Sequence, residues 1–141
     1  SCDGTLASLL PATSFQSSSH FSDSRAAYFA KLNKRDGGGG WSPESTDRSP
    51  WLQVDLQDRM EVTAVATQGR HGSTDWVSAY MLLYSDTGRV WKQYMLEDSV
   101  GVSVCFGTNL PYYPEGPYFV KLTGCLCIRL SHLSLGRLRN K

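Results

Sequence analysis

Trp51-Leu52-Gln53-Val54-Asp55-Leu56 decides the fold. Leu52, Val54 and Leu56 fall on one face and Trp51, Gln53 and Asp55 on the other, the two-residue period of a half-buried strand. Upstream, Trp41-Ser42-Pro43 forms a proline-bounded loop entering this strand. Downstream, Val62-Thr63-Ala64-Val65-Ala66-Thr67 is β-branched and small, as suits a strand crossing a crowded interior. Asp75-Trp76-Val77 follows. Tyr80-Met81-Leu82-Leu83-Tyr84 and Arg89-Val90-Trp91-Lys92-Gln93-Tyr94 then flank Ser85-Asp86-Thr87-Gly88, a short loop closed by glycine that signals a hairpin. No long 3.6-residue period and no internal repeat occurs. The expectation is all-β, with Trp51, Trp76 and Trp91 in the core, where most tryptophans of such domains lie.

The flanks are less regular. Leu6 to Leu10 is a short apolar piece closed by Pro11, and residues 13–24 are serine-rich, with Phe15 and Phe21 their only large apolar side chains. Serine hydroxyls compete for local backbone hydrogen bonds, which favours loop. Ala26 to Leu32 is short enough to be a strand or a helical turn. Gly37-Gly38-Gly39-Gly40 is expected to be a flexible loop, because four glycines lose much backbone entropy on ordering. Beyond Ser99, Phe106-Gly107-Thr108-Asn109 reads as a turn, and Pro111, Pro114 and Pro117 mark an irregular connection. Tyr118 to Leu122 and Leu126 to Leu130 are the expected last strands.

The 141 residues fit one domain, 1–141, and 40% hydrophobic with 11% aromatic residues can build a core. A net charge of +1 gives no footprint for nucleic acid. Residues 1–115 hold 9 basic and 13 acidic side chains, whereas 116–141 hold Lys121, Arg129, Arg137, Arg139 and Lys141 without an acid. That basic tail reads as a solvated terminus. No apolar run reaches the roughly 18 residues of a membrane-spanning helix. No signal peptide remains, so a secreted origin would require that it was cut away or is left out of this sequence. Cys2, Cys105, Cys125 and Cys127 allow one or two disulfides in an oxidising compartment, with three pairings open. Cys125 and Cys127 would share a strand face, a poor geometry for bonding to each other, and Cys2 reads as an N-terminal anchor to a distant partner.

Catalytic and metal chemistry finds little support. A zinc site from Cys105, Cys125, Cys127 and His132 would need the C-x₂₋₄-C spacing, and the pair here is C-x-C. The tetraglycine runs into Trp41 with no Lys-Ser/Thr step, so it is not a phosphate loop. His20, His71 and His132 lack an assignable nucleophile, although Asp23 and Asp75 lie near the first two in sequence. Asn-x-Ser/Thr does not occur. Neither an enzyme nor a cofactor is expected.

Seven segments in unbroken order resemble one family: Ala12-Thr13-Ser14-Phe15, Ala30-Lys31-Leu32-Asn33, Gly40-Trp41-Ser42-Pro43, Trp51 to Leu56, Val62 to Gly69, Asp75-Trp76-Val77 and Tyr84 to Trp91. Together they look like the discoidin module, also called the coagulation factor V/VIII type C domain. The flavour of Asn33-Lys34-Arg35-Asp36-Gly37 and Ala64 to Gly69 is most similar to the N-terminal module of contactin-associated (Caspr, neurexin-IV-like) proteins. The match covers roughly residues 2–98, and 99–141 diverge. The resemblance implies a jellyroll-like antiparallel β-sandwich or barrel whose loops at one end meet the ligand. Those loops match Ser17–Arg25, with Ser19, His20 and Phe21, and Arg70–Thr74, with Arg70, His71 and Gly72. The family's closing strand ends in a cysteine bonded to the N-terminal one. Here the C-terminal strands read as atypical or truncated, leaving Cys2 to pair with Cys125 or Cys127, or to stay unpaired.

The expected function is a non-enzymatic extracellular module, secreted or part of an ectodomain, working in cell adhesion by protein recognition with a contactin-like partner. The alternative is a glycan or anionic-phospholipid binder using the same loops. Burying Phe21 would contribute about 1.5–3 kcal/mol, and each nearby cation about 1 kcal/mol on an anionic surface. One phenylalanine where membrane-binding relatives present paired aromatics falls short of firm attachment.

Overall fold

A computed structural model describes residues 6–59, 64–75, 80–93, 119–124 and 133–136. Among these residues there are seven strands and four short 3₁₀ turns. The strands are β1 (Phe15–Ser17), β2 (Trp51–Asp55), β3 (Ala64–Thr67), β4 (Tyr80–Ser85), β5 (Lys92–Gln93), β6 (Phe119–Gly124) and β7 (Leu133–Gly136). A five-stranded sheet has the order β1-β2-β6-β4-β5, and β3 pairs with β7 in a second sheet. Every pairing is antiparallel.

The alternation in β2 sets which face is buried. Leu52, Val54 and the following Leu56 are buried, while Trp51, Gln53 and Asp55 are half-buried. Phe15 stands opposite Val54, and Leu52 and Leu82 both pair with position 122, so these side chains share a face. Tyr80 lies two residues before Leu82 on that face and is buried with it. Ala27 and Ala30, in the 3₁₀ turn Ala27–Ala30, complete the core with residues small enough for tight approach.

The tryptophan expectation needs correction. Among the described residues Trp41 is the fully buried indole, at 2% exposure, whereas Trp51 and Trp91 are half-buried; Trp76 lies outside the described residues. The reason is positional. Trp51 occupies the odd face of β2, away from Leu52 and Val54, and Trp91 precedes the short edge strand β5. Trp41 belongs to no strand, so periodicity assigns it no face.

The C-terminal stretch, divergent in sequence, supplies β6 at the centre of the larger sheet and β7 beside β3. The strand expected over Tyr118–Leu122 is present as Phe119–Gly124, and Tyr118 and Leu126–Leu130 lie outside the described residues, as do all four cysteines. The hairpin between β4 and β5 forms, with Leu83 opposite Gln93 and Tyr84 opposite Lys92. Its turn folds around the Ser85 hydroxyl, which accepts from Thr87 N–H and Gly88 N–H and donates to the Val90 carbonyl. Gly88 adopts φ +73°, which a side chain would oppose.

Candidate functional site

One end of the sandwich is built by two connections. β1 stops at Ser17 and β2 starts at Trp51, so the segment between them leaves and re-enters the sheet at the same end. β4 starts at that end too, since Tyr80 and Trp51 pair with the neighbouring β6 positions 124 and 123. The 68–75 connection joins them through a hydrogen bond from His71 N–H to the Gly39 carbonyl, 2.9 Å.

Serines in residues 17–24 are the structural material of this end. The hydroxyls of Ser18 and Ser19 each donate to Asp47 Oδ2 at 2.6 Å. These two bonds, Ser18 first, hold the Asp47 carboxyl below its ordinary pKa by favouring the charged form. Ser18 also accepts from Trp51 N–H and Ser19 from Glu44 N–H. Trp41 Nε1 donates to the Ser19 carbonyl at 2.9 Å, so the buried indole pins the same loop from beneath. Phe21 N–H donates to the Ser42 carbonyl at 2.8 Å, and Ser42 N–H to the Arg25 carbonyl at 3.2 Å.

The tetraglycine is no free loop. Gly39 and Gly40 are buried, and Gly38 N–H donates to the Ser24 carbonyl at 2.7 Å. Arg70 Nη1 donates to the Gly38 carbonyl at 3.1 Å, while its Nε and Nη2 reach Asp75 Oδ2 at 3.2 and 2.8 Å. A Cβ on Gly39, at φ +79°, would overlap the His71 carbonyl oxygen. Glycine is required here for close backbone approach, not for mobility.

The six residues singled out by sequence therefore divide. His20, Phe21, His71 and Gly72 are exposed, with Phe21 at 58%. The Arg25 guanidinium lies 4.7 Å from the Phe21 ring centroid, and His20 Nε2 is 3.5 Å from Asp23 Oδ1. Ser19 is half-buried and holds the loop. The Arg70 side chain is only 14% exposed and points into the joint. Sequence reasoning missed Arg25, Ser42, Asp47 and the structural use of Gly38 and Gly39. The serines near Asp47 carried no usable signal, because their partner lies 29 residues from Ser18 and 28 from Ser19.

No cluster of three or more His, Cys, Asp or Glu that could hold a metal occurs among the described residues. No helix among them is long and apolar enough to cross a membrane. At the opposite end, a cleft of about 110 Å³ is lined by Tyr84, Ser85, Asp86, Thr87, Val90 and Lys92.

Antiparallel layers carrying hydrogen-bonded loops at one end define a β-sandwich binding module. The sequence profile of the F5/8 type C domain matches residues 14–108, and the chain belongs to that family, the discoidin domains. Such domains are typically non-catalytic ligand- or carbohydrate-binding modules of extracellular or secreted proteins. The fold is similar to discoidin II of Dictyostelium discoideum, with TM-score 0.75 and 18% identity over 99% of this chain and 60% of that one. The chain thus spans somewhat over half of discoidin II. CpGH89CBM32-5 from Clostridium perfringens, solved in complex with GalNAc-β-1,3-galactose, has TM-score 0.63 and 15% identity over 85% of this chain and 88% of that one. The family 32 CBM of NanJ from C. perfringens, in complex with galactose, gives TM-score 0.58 and 16% identity over 85% and 87%.

Proposed function

We propose that this chain is an extracellular recognition module for cell adhesion that docks a cell-surface protein on its loop end, with a contactin-like adhesion molecule as the partner class. One observation carries the reading. Phe21 projects from a loop fixed by hydrogen bonds on both sides, with Arg25 stacked on its ring and His20 beside it. An aromatic backed by arginine on a rigid loop is the composition of an interface anchor. The similarity of Asn33 to Gly37 and Ala64 to Gly69 to contactin-associated modules supports the choice of partner class.

A second reading is glycan binding at the same end. It is favoured by solved neighbours that hold GalNAc-β-1,3-galactose and galactose, and an exposed aromatic ring suits a sugar face. The test compares the wild-type chain with a His20→Ala/Phe21→Ala/His71→Ala variant on immobilised contactin-like ectodomain, on a glycan array and on phosphatidylserine liposomes. Protein binding lost in the variant, with unchanged thermal unfolding, supports the first reading. Binding confined to the array favours the second. Capture on liposomes alone, or equal protein binding by the variant, refutes the adhesion surface.

A further inference from the structure

We infer that Arg70 is a positioning residue: it fixes the separation of the two contact loops and makes no contact with the ligand itself. The inference rests on the proposed loop-end surface for its meaning in recognition, while the coupling it asserts can be measured without any ligand.

The guanidinium satisfies two elements at once. Two of its nitrogens hold the Asp75 carboxylate, closing the 70–75 loop on itself, a closure repeated by Arg70 N–H to the Asp75 carbonyl at 2.9 Å. The third reaches the Gly38 carbonyl. Gly38 N–H is bonded to the Ser24 carbonyl, and Ser24 adjoins Arg25, whose guanidinium covers Phe21. A continuous path therefore runs from Asp75 through Arg70 and Gly38 to the Phe21 loop. His71 N–H to the Gly39 carbonyl runs parallel to it, one residue further along both chains.

An arginine suits this place and a lysine does not, because only the planar fork can meet a carboxylate with two donors and a carbonyl with another. At 14% exposure the side chain offers little to a partner. What it gives the surface is order before encounter: loops already held need not lose freedom on binding.

The test is amide hydrogen exchange, followed by NMR, on the full chain carrying Arg70→Met, which keeps apolar bulk and removes all donors. The His71 and Gly38 amides should exchange about tenfold faster or more, as expected for losing charge-assisted bonds, while Val54, in the buried β2, keeps its protection. Arg70→Lys should fall between the two and serves in its place if the methionine variant does not fold. Equal acceleration at Val54 would make Arg70 a general stabiliser and overturn the inference. Unchanged exchange at His71 and Gly38 would overturn it also. Neither outcome depends on which ligand, if any, the loop end takes.

Discussion

Replacing Gly39 by alanine should cost clearly more stability than replacing Gly72, although both residues sit at nearly the same left-handed φ, +79° and +75°. A side chain in that region costs about 1–2 kcal/mol from local sterics alone. Gly72 stops there, since an added Cβ meets nothing within 4 Å. At Gly39 the methyl group overlaps the His71 carbonyl oxygen and lies 3.1 Å from the His71 carbonyl carbon and Cβ. Backbone cannot rotate aside as a flexible side chain can. The two segments must separate, and the 2.9 Å bond from His71 N–H to the Gly39 carbonyl goes with them. Losing that bond adds about 0.5–1.5 kcal/mol, so Gly39→Ala should total about 1.5–3.5 kcal/mol. Against a typical stability of about 5–15 kcal/mol, the difference is measurable. Urea unfolding followed by tryptophan fluorescence gives both values. Equal losses for the two variants would show that the joint between residues 39 and 71 is not close-packed, and would refute the reasoning.

Trp41→Phe should destabilise by about 1–3 kcal/mol, through lost volume at a buried site and loss of the indole donor to the Ser19 carbonyl, measurable in the same urea titration. Asp47→Asn should flatten the acid limb of stability. The folded carboxyl is held below its ordinary value, so its contribution is fully present above the unfolded pKa, near 4, and is lost as pH falls through the lower folded value. Unfolding free energies between about pH 2 and 6 should therefore fall less steeply for the Asp47→Asn variant than for the wild type, and identical slopes would refute the assignment.

Legibility followed sequence separation. Strand β2 could be read directly, because Leu52, Val54 and Leu56 alternate within six residues, and so could the hairpin around Ser85–Gly88, whose bonds span five residues or fewer. Trp41 escapes such a reading because an indole outside any strand has no period to assign it a face. The tetraglycine misleads for a related reason. Backbone entropy argues for looseness when the chain is considered alone, but Gly39 is selected by the carbonyl of a residue 32 positions away. At the candidate site, His20, Phe21 and His71 were expected from the resemblance of their loops to the family's, and all three are exposed. Arg70 was expected beside them as a ligand-contact residue, but its side chain turns inward. Its inward orientation depends on Gly38 and Asp75, and nothing in its immediate neighbours signals that.

The size of the exposed patch constrains how the proposed adhesion could work. One phenylalanine at 58% exposure, already partly covered by Arg25, can bury only part of the about 1.5–3 kcal/mol that a full phenylalanine contributes. Two imidazoles add hydrogen bonds of about 0.5–1.5 kcal/mol each. Even with loops held in advance, such a surface points to weak one-to-one binding, since each 1 mM to 1 μM step requires about 4 kcal/mol. Adhesion through it would then rest on many copies engaging together, where linkage raises apparent affinity by about 10²–10⁴ without a new contact. A soluble single-copy chain should consequently bind partner-coated surfaces weakly and release quickly in biolayer interferometry, while a bivalent fusion of the same chain binds persistently. Tight single-copy binding abolished by Phe21→Ala would refute the estimate and place much more contact area on the loop end than Phe21, His20 and His71 provide.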